Sequence, residues 1–430
     1  MNDKNLLAYS PNGLDLGKYA GWQTLLFTTS RACNLSCDGC WTSSTNGTIA
    51  RQARSGAGWL YDGTYGINVL DAILDKFYDE QGKLVACMSE GEPLVGANYP
   101  FISELMKSTG KRKLPALLFT NGVYLDRDKI AEIYGENEQV SYCISMQTGL
   151  RDRYAGVMLT DRQANGNEKR TFDTLVNNFD VWRDYDKSIL DRTGKRGIAL
   201  KSYIIPGKTT ERDLEALRQV SIELGNVPWI VTTIGMHVSD SLKGKISEQD
   251  EETARLVRKY NTGPSATVSF GRTENERLCS YISNGSYPFE SPAGPFGITF
   301  NPFEQGQIQT CPYHSLIGTK EWFSLRDYLY AMKESSQGVT DNKVREWFDA
   351  AVKAETMVTR GAFDLAGYEH CLMRHSRKPR IDLFIAEVNT EMVERRKEGA
   401  LDIRDEKYFD NVLKNLEQAI NSASRKVQIQ

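Results

Sequence analysis

The sequence predicts an α/β protein: a parallel sheet of six strands with helices outside, followed by a loop-rich C-terminal extension. Three observations carry that expectation. Between Trp22 and His237, short apolar runs alternate with longer amphipathic segments. After Thr262 the alternation stops, and Gly, Pro, Asn and Ser become frequent. A length of 430 residues suits one barrel-sized unit plus a smaller appendage.

The strand candidates are Gln23–Thr29, Leu84–Ser89, Leu114–Thr120, Val140–Met146, Ile198–Ile205 and Trp229–Ile234. Each is apolar or β-branched and ends near Gly, Pro, Asn or Ser. Between them lie helical periods. Ile67–Tyr78 places Ile67, Leu70, Ile73, Leu74 and Phe77 on one stripe, and Glu211–Leu224 does the same with Leu214, Leu217, Val220 and Leu224. Such alternation gives a parallel sheet, either curled into an incomplete barrel or open and doubly wound; in both, ligands gather at the C-terminal strand ends. From Thr262 to Pro312 the pattern reads as loop with one hairpin, Gly297–Asn301 and Gln307–Thr310. The last stretch, Ile381–Ile420, is charged and helical, with Val388, Met392, Val412, Leu413 and Leu416 as its apolar face. The expected division is an N-terminal segment (1–21), the strand–helix unit (22–261), a third region (262–380) that opens on the loop-rich stretch and holds the remaining cysteines, and C-terminal helices (381–430).

Composition sets outer limits. Hydrophobic residues make up 40% and charged residues 25%, as in soluble globular proteins. The net charge of −3 argues against a broad electrostatic footprint for nucleic acid or an anionic membrane and leaves room for a local basic patch. The start, Met1-Asn2-Asp3-Lys4, has no secretory pattern, and no apolar run is long enough to span a bilayer. Of eight cysteines, three crowd into eight positions, which favours metal binding over disulfides and a reducing, cytoplasmic compartment.

Those three are Cys33, Cys37 and Cys40, spaced C-x3-C-x2-C directly after the first strand. A cubane iron–sulfur cluster normally takes four thiolates, so three leave one iron open to an outside chelate. A structural zinc wants four ligands, and no fourth Cys or His stands in this loop. The triplet resembles the signature of the radical S-adenosylmethionine (SAM) superfamily, and the resemblance implies a partial (β/α)6 TIM-type barrel. It implies that the open iron of a 4Fe–4S cluster chelates SAM. One electron then cleaves the sulfonium, and a 5′-deoxyadenosyl radical takes a hydrogen atom from the substrate.

Further elements resemble the family in order along residues 22–240. Ser89-Glu90-Gly91-Glu92-Pro93 is similar to its "GGEP" element, with Glu90 at the usual first Gly. The implied role of Gly91 and Glu92 is to accept hydrogen bonds from the methionine amino group through backbone carbonyls and the Glu92 carboxylate. Thr120-Asn121-Gly122 resembles a "TNG" turn, Ser145-Met146-Gln147-Thr148-Gly149 the "SLDG" strand end, and Ile205-Pro206-Gly207 the adenine-contacting "IxG". Asn121, Ser145, Gln147 and Ile205 are thereby implied in cofactor binding. Gly39 stands where the family carries an aromatic, and Trp41 is the expected substitute.

Five cysteines remain. Cys87 and Cys143 sit inside apolar strands and read as small core residues. Cys279, Cys311 and Cys371 are accompanied by His314, His370 and His375. The segment Gly306-Gln-Ile-Gln-Thr-Cys311-Pro312 resembles the "G-x4-C-P" turn of SPASM and twitch extensions, which carry auxiliary iron–sulfur clusters. One auxiliary cluster on Cys279, Cys311 and Cys371 is the expectation, with zinc or no metal as the alternatives. His237 reads as a structural histidine and the basic run Arg374–Arg380 as a solvated loop.

The expected function is radical SAM oxidation or crosslinking of a small molecule or peptide, fed by an external donor such as flavodoxin or ferredoxin. The 32 residues before Cys33 lean toward a small molecule or a partner-delivered peptide, and leave no room for a B12-binding domain. Two alternatives stand beside it. One is a radical SAM epimerase or rearrangement enzyme without an auxiliary cluster, with Cys87 or Cys143 as hydrogen donor. The other is a non-catalytic iron–sulfur or zinc sensor.

Overall fold

The computed structural model describes residues 24–30, 32–35, 37, 56–80, 84–87, 91–158, 167–205, 208–233, 255–256, 259–260, 297–303, 305–309, 322–366 and 378–429. All six predicted strands form: β1 Thr24–Phe27, β2 Leu84–Cys87, β3 Ala116–Thr120, β4 Val140–Ser145, β5 Ile198–Ile204 and β6 Trp229–Thr233. The hairpin forms as β7 Gly297–Asn301 and β8 Gln307–Gln309.

The hairpin departs from expectation in its place. It does not stand in a separate unit: β7 lies parallel to β1, in the register Leu26↔Thr299 and Phe27↔Phe300, and β8 runs antiparallel beside it. The sheet therefore has eight strands in the order β6-β5-β4-β3-β2-β1-β7-β8. The physical reason is edge pairing. Without β7, β1 would leave a row of backbone groups unpaired beside the cysteine loop. The turn into β8 needs Gly306, whose φ of +73° and whose contact with Trp59, 2.8 Å from an added Cβ, admit no side chain.

The helices are α1 Val69–Asp79, α2 Tyr99–Lys111, α3 Arg127–Glu136, α4 Arg151–Met158, α5 Asn167–Asn177, α6 Phe179–Thr193, α7 Glu211–Glu223, α8 Leu325–Glu334, α9 Asp341–Ala366, α10 Lys378–Lys397 and α11 Tyr408–Ile429. The stripes read from the sequence are the buried ones: Leu70, Ile73, Leu74 and Phe77 of α1 are fully buried, as are Leu214 and Leu217 of α7. Each such side chain contributes about 1.5–3 kcal/mol of transfer free energy. Asn68 caps α1 by accepting from the Asp71 amide, and Thr210 with Asp213 forms a reciprocal capping box on α7.

Strand parity separates two faces. Leu25, Phe27, Val85, Cys87 and Leu118 pack with the helices in one large core. Leu26, Leu84, Ala86, Leu117, Phe119, Cys143 and Ile230 form a second cluster built only of strand residues. A doubly wound sheet would carry helices on both faces; here the inner face is lined by strands alone among the described residues. The sheet is the partial-barrel form.

Beyond the hairpin the described chain is mostly helical: α8 and α9 span most of residues 325–366, and α9 packs on α1 and β8. Lys76 of α1 pairs with Asp349 of α9 at 2.8 Å, and Arg345 with Asp79 at 2.7 Å. The charged C-terminal stretch breaks into α10 and α11, and Gly399 at φ +82° follows the end of α10.

Candidate functional site

The parallel strands deliver their C-terminal ends to one mouth. After β1 the chain turns into the loop bearing Cys33 and Cys37, anchored by Leu35, whose side chain is buried in the core. Cys33 is exposed and Cys37 is half-buried. The Leu35 amide donates to Cys33 Sγ at 3.4 Å. Cys40 and Trp41 lie outside the described residues, and among those described no three metal-ligating side chains converge.

Beside that loop, after β2, stands Glu92, which is 2% exposed. Its Oε1 accepts from Thr120 Oγ1 at 2.6 Å and from the Leu94 amide at 3.1 Å, and its Oε2 from the Asn121 amide at 2.7 Å. Burial pushes the carboxyl up to about 7, although those three donors pull the other way. Among the described residues no cation pairs with it. A carboxylate held by donors, without a counterion, is a receptor for a positively charged group. The Gly91 amide donates to Thr29 Oγ1 at 3.3 Å, which ties this turn to the end of β1.

Asn121 joins the same cluster. Its main chain serves Glu92, while its side-chain Nδ2 donates to Asn34 Oδ1 at 2.8 Å. The next residue, Gly122, has φ +78°, and a Cβ there would meet the Trp182 ring at 2.8 Å, so the "TNG" turn requires glycine.

The remaining predicted residues are placed farther along the row of strand ends. Ser145 closes β4. Gln147 turns inward and bridges to β5, with Oε1 accepting from the Tyr203 amide and Nε2 donating to Ser145 Oγ at 3.1 Å. Its carboxamide therefore shapes the turn. Thr148 donates to the buried Asp213 of α7 at 2.7 Å, and Arg153 donates to the same carboxylate at 2.8 Å. Ile205 is buried at the end of β5, its amide donating to Thr209 Oγ1 at 2.8 Å. Pro206, Gly207, His237, Cys279, Cys311, Cys371, His314, His370 and His375 lie outside the described residues.

Sequence reasoning missed Asn98. An asparagine before a helix reads as an N-cap, yet its side chain makes no cap bond to α2. It is fully buried and turns to the cysteine loop instead, accepting from the Ser30 amide and donating to the carbonyls of Ser30, Ala32 and Glu92. The only available signal was its distance of a few residues from the Gly-Glu-Pro turn.

The sequence model of the Radical SAM superfamily matches residues 27–220, which include the cysteine loop, the Glu92 turn and the ends of β3, β4 and β5. The chain carries a radical SAM domain. Crystal structures of SuiB from Streptococcus suis bound to S-adenosylmethionine, bound to its precursor peptide SuiA, and of SuiB itself are similar to the chain. Their TM-scores are 0.42, 0.40 and 0.41, at 14%, 13% and 14% identity. The matches cover 69%, 69% and 68% of this chain and 61%, 60% and 61% of SuiB, so the chain spans about three fifths of that protein's length. A comparison with curated proteins finds no match.

The radical SAM family implies a 4Fe–4S cluster and SAM, and the residues fit both. The Tyr154 hydroxyl on α4 is buried and has no hydrogen-bond partner among the described residues. Burial holds its proton on, and the nearby Cys37 and Cys33 sulfurs reinforce that. A buried donor beside thiolates suits a sulfur-rich, electron-dense group. The uncompensated Glu92 carboxylate suits an ammonium group. Among the described residues no helix is long and apolar enough to cross a membrane.

Proposed function

We propose that this protein is a radical SAM enzyme that oxidises or crosslinks a small molecule or peptide. Cys33, Cys37 and Cys40 would hold the cluster. Gly91, Glu92, Asn121, Ser145, Gln147, Ile205 and Trp41 would surround SAM. The chemistry supplied by the bound pair is one-electron cleavage of the sulfonium followed by hydrogen-atom abstraction from substrate. The protein's own residues do the rest. Glu92 receives the methionine ammonium, its carboxylate already oriented by three donors. Gln147 and the Thr148–Asp213 bond fix the strand-end turn that follows β4. The strand-lined inner face excludes water from the reacting carbon. An external one-electron donor such as flavodoxin or ferredoxin completes the cycle.

The observation that carries this reading is the juxtaposition of the cysteine loop with the buried Glu92, which pairs with no cation among the described residues, inside the matched domain. Anaerobic reconstitution followed by dithionite and SAM tests it. The expected product is 5′-deoxyadenosine, lost on Cys37→Ala; a sensor protein yields none. The auxiliary cluster on Cys279, Cys311 and Cys371 is supported by Gly306 and its hairpin, whose second strand ends two residues before Cys311. A Cys33/Cys37/Cys40→Ala variant that retains iron supports that cluster, and one without iron removes it.

A single observation favours the epimerase reading. Cys143 belongs to the inner-face cluster, and burial pushes its thiol up to about 12, so it remains an S–H donor at working pH. Cys87 packs among the helices on the outer face and does not suit that role.

A further inference from the structure

We infer that Asn98 and Asn121 form a clamp, hinged on Glu92, that ties down the chain on both sides of Cys33 before any metal arrives, through backbone groups before it and the Asn34 side chain after it. Its use in cluster assembly rests on the function proposed above; the clamp itself does not.

The N-terminal jaw is Asn98. Its Oδ1 accepts from the Ser30 amide at 3.1 Å and from the Ser30 hydroxyl, and its Nδ2 donates to the carbonyls of Ser30 and Ala32, both at 3.3 Å. The same Nδ2 donates to the Glu92 carbonyl at 2.9 Å, while the Glu92 amide donates back to the Ala32 carbonyl at 2.8 Å. The C-terminal jaw is Asn121, whose Nδ2 holds Asn34 Oδ1 at 2.8 Å and whose amide holds Glu92 Oε2 at 2.7 Å. Residues 30, 32 and 34 are thus tied down around Cys33, and both ties end on Glu92.

Only a carboxamide can serve as the first jaw. It must accept from an N–H and an O–H on one side, and on the other its two N–H groups must be shared among three carbonyls, the two 3.3 Å contacts being the weaker ones. Aspartate would set a charged oxygen against those carbonyls, and alanine would leave them without a donor. A loop free to wander would have to order itself around each incoming iron; a held loop offers Cys33 in place, as supporting residues do for metal ligands generally. Because both jaws meet at Glu92, a cation bound by that carboxylate pulls on the same hinge that places the sulfur. Cluster retention and occupation of the Glu92 site are then reciprocally coupled.

The test uses the full chain in two states. In the metal-free protein, amide hydrogen exchange is followed by mass spectrometry over residues 28–37. Asn98→Ala should accelerate exchange there by at least about tenfold, the scale expected when several buried bonds are lost. Asn137 is the control: it is equally buried and donates to Thr109 and Leu114, away from the loop. Asn137→Ala should leave residues 28–37 unchanged. Asn121→Ala opens the clamp from the far side and carries the same test if Asn98→Ala does not fold. In reconstituted protein, both clamp variants should release iron to a chelator faster than wild type, and Asn137→Ala at the wild-type rate. Wild-type exchange over residues 28–37 in the clamp variants, or equal acceleration by Asn137→Ala, overturns the clamp. A wild-type chain that takes up no iron removes the proposed function, and the exchange measurement still judges the clamp.

Discussion

Glu92→Gln separates the cost of this site from its use. Burial lifts the Glu92 carboxyl from an ordinary 4.5 to about 7, so between those values the folded protein binds a proton that the unfolded chain does not. Stability from this group is therefore greatest at and below the unfolded value and declines as pH rises toward 7. A shift of this size corresponds to about 3 kcal/mol, at about 1.4 kcal/mol per unit. Glutamine has no such titration, but its NH2 must face one of the amides of Leu94 and Asn121, a mismatch of about 1–3 kcal/mol. The variant should thus be less stable than wild type near pH 4.5, with the gap closing or reversing by pH 8. Urea unfolding of both metal-free proteins across that range gives the difference directly, other carboxylates cancelling. A difference that stays constant with pH would show that Glu92 is not held as a costly buried carboxylate. At pH 8 the same variant should lose SAM binding by calorimetry while keeping its fold, as expected where a residue serves a ligand rather than the scaffold.

Three other substitutions test neighbouring parts. Gly122→Ala forces a side chain into a left-handed backbone and against Trp182, and should cost at least about 1–2 kcal/mol in denaturant unfolding; wild-type stability there would count against the turn. Tyr154→Phe removes a hydroxyl without a partner among the described residues, so the metal-free protein should melt no lower than wild type, while the reconstituted cluster should show a more negative reduction potential through loss of a donor to sulfur. An unchanged potential would detach Tyr154 from the cluster. Burial works against Asp213, yet Arg153, Thr210 and Thr148 hold its carboxyl below the usual range. Its stability contribution is present above the unfolded value near 3.8 and lost as pH falls through the folded one. Asp213→Asn should remove that acid dependence from the unfolding profile, and an unaltered profile would assign it elsewhere.

The legible part of this protein is the part governed by local rules. Leu84–Cys87 and Ala116–Thr120 are short apolar runs that can only be buried strands at their length, and each hands over to a polar turn. The order of those turns along the chain assigns Gly91, Glu92 and Asn121 to neighbouring strand ends, where Glu92 accepts from the Asn121 amide. What could not be read was partner choice. Nothing within Gly297–Asn301 says that it pairs with Thr24–Phe27, since parallel pairing needs a long crossover and leaves no mark in either strand. Asn98 was hidden for a related reason: at a helix start, a carboxamide that caps and one that reaches into a neighbouring loop look alike.

Strand parity shows why so small a sequence difference carries so much chemistry here. Cys87 and Cys143 occupy comparable apolar strands, and composition treats them alike. In the sheet, Cys87 aligns with Phe27 and Leu118 on the helix-covered face, whereas Cys143 aligns with Phe119 and Ala199. Phe119 and Cys143 both belong to the inner cluster. Successive residues point to opposite faces, so one position decides whether a thiol packs against helices or faces the strand-lined interior. If Cys143 donates a hydrogen atom, Cys143→Ala should stop product formation while 5′-deoxyadenosine still accumulates, and Cys87→Ala should leave both intact. Equal effects from the two substitutions would mean that the inner face is not the chamber, and the placement of substrate would have to be sought elsewhere on the sheet.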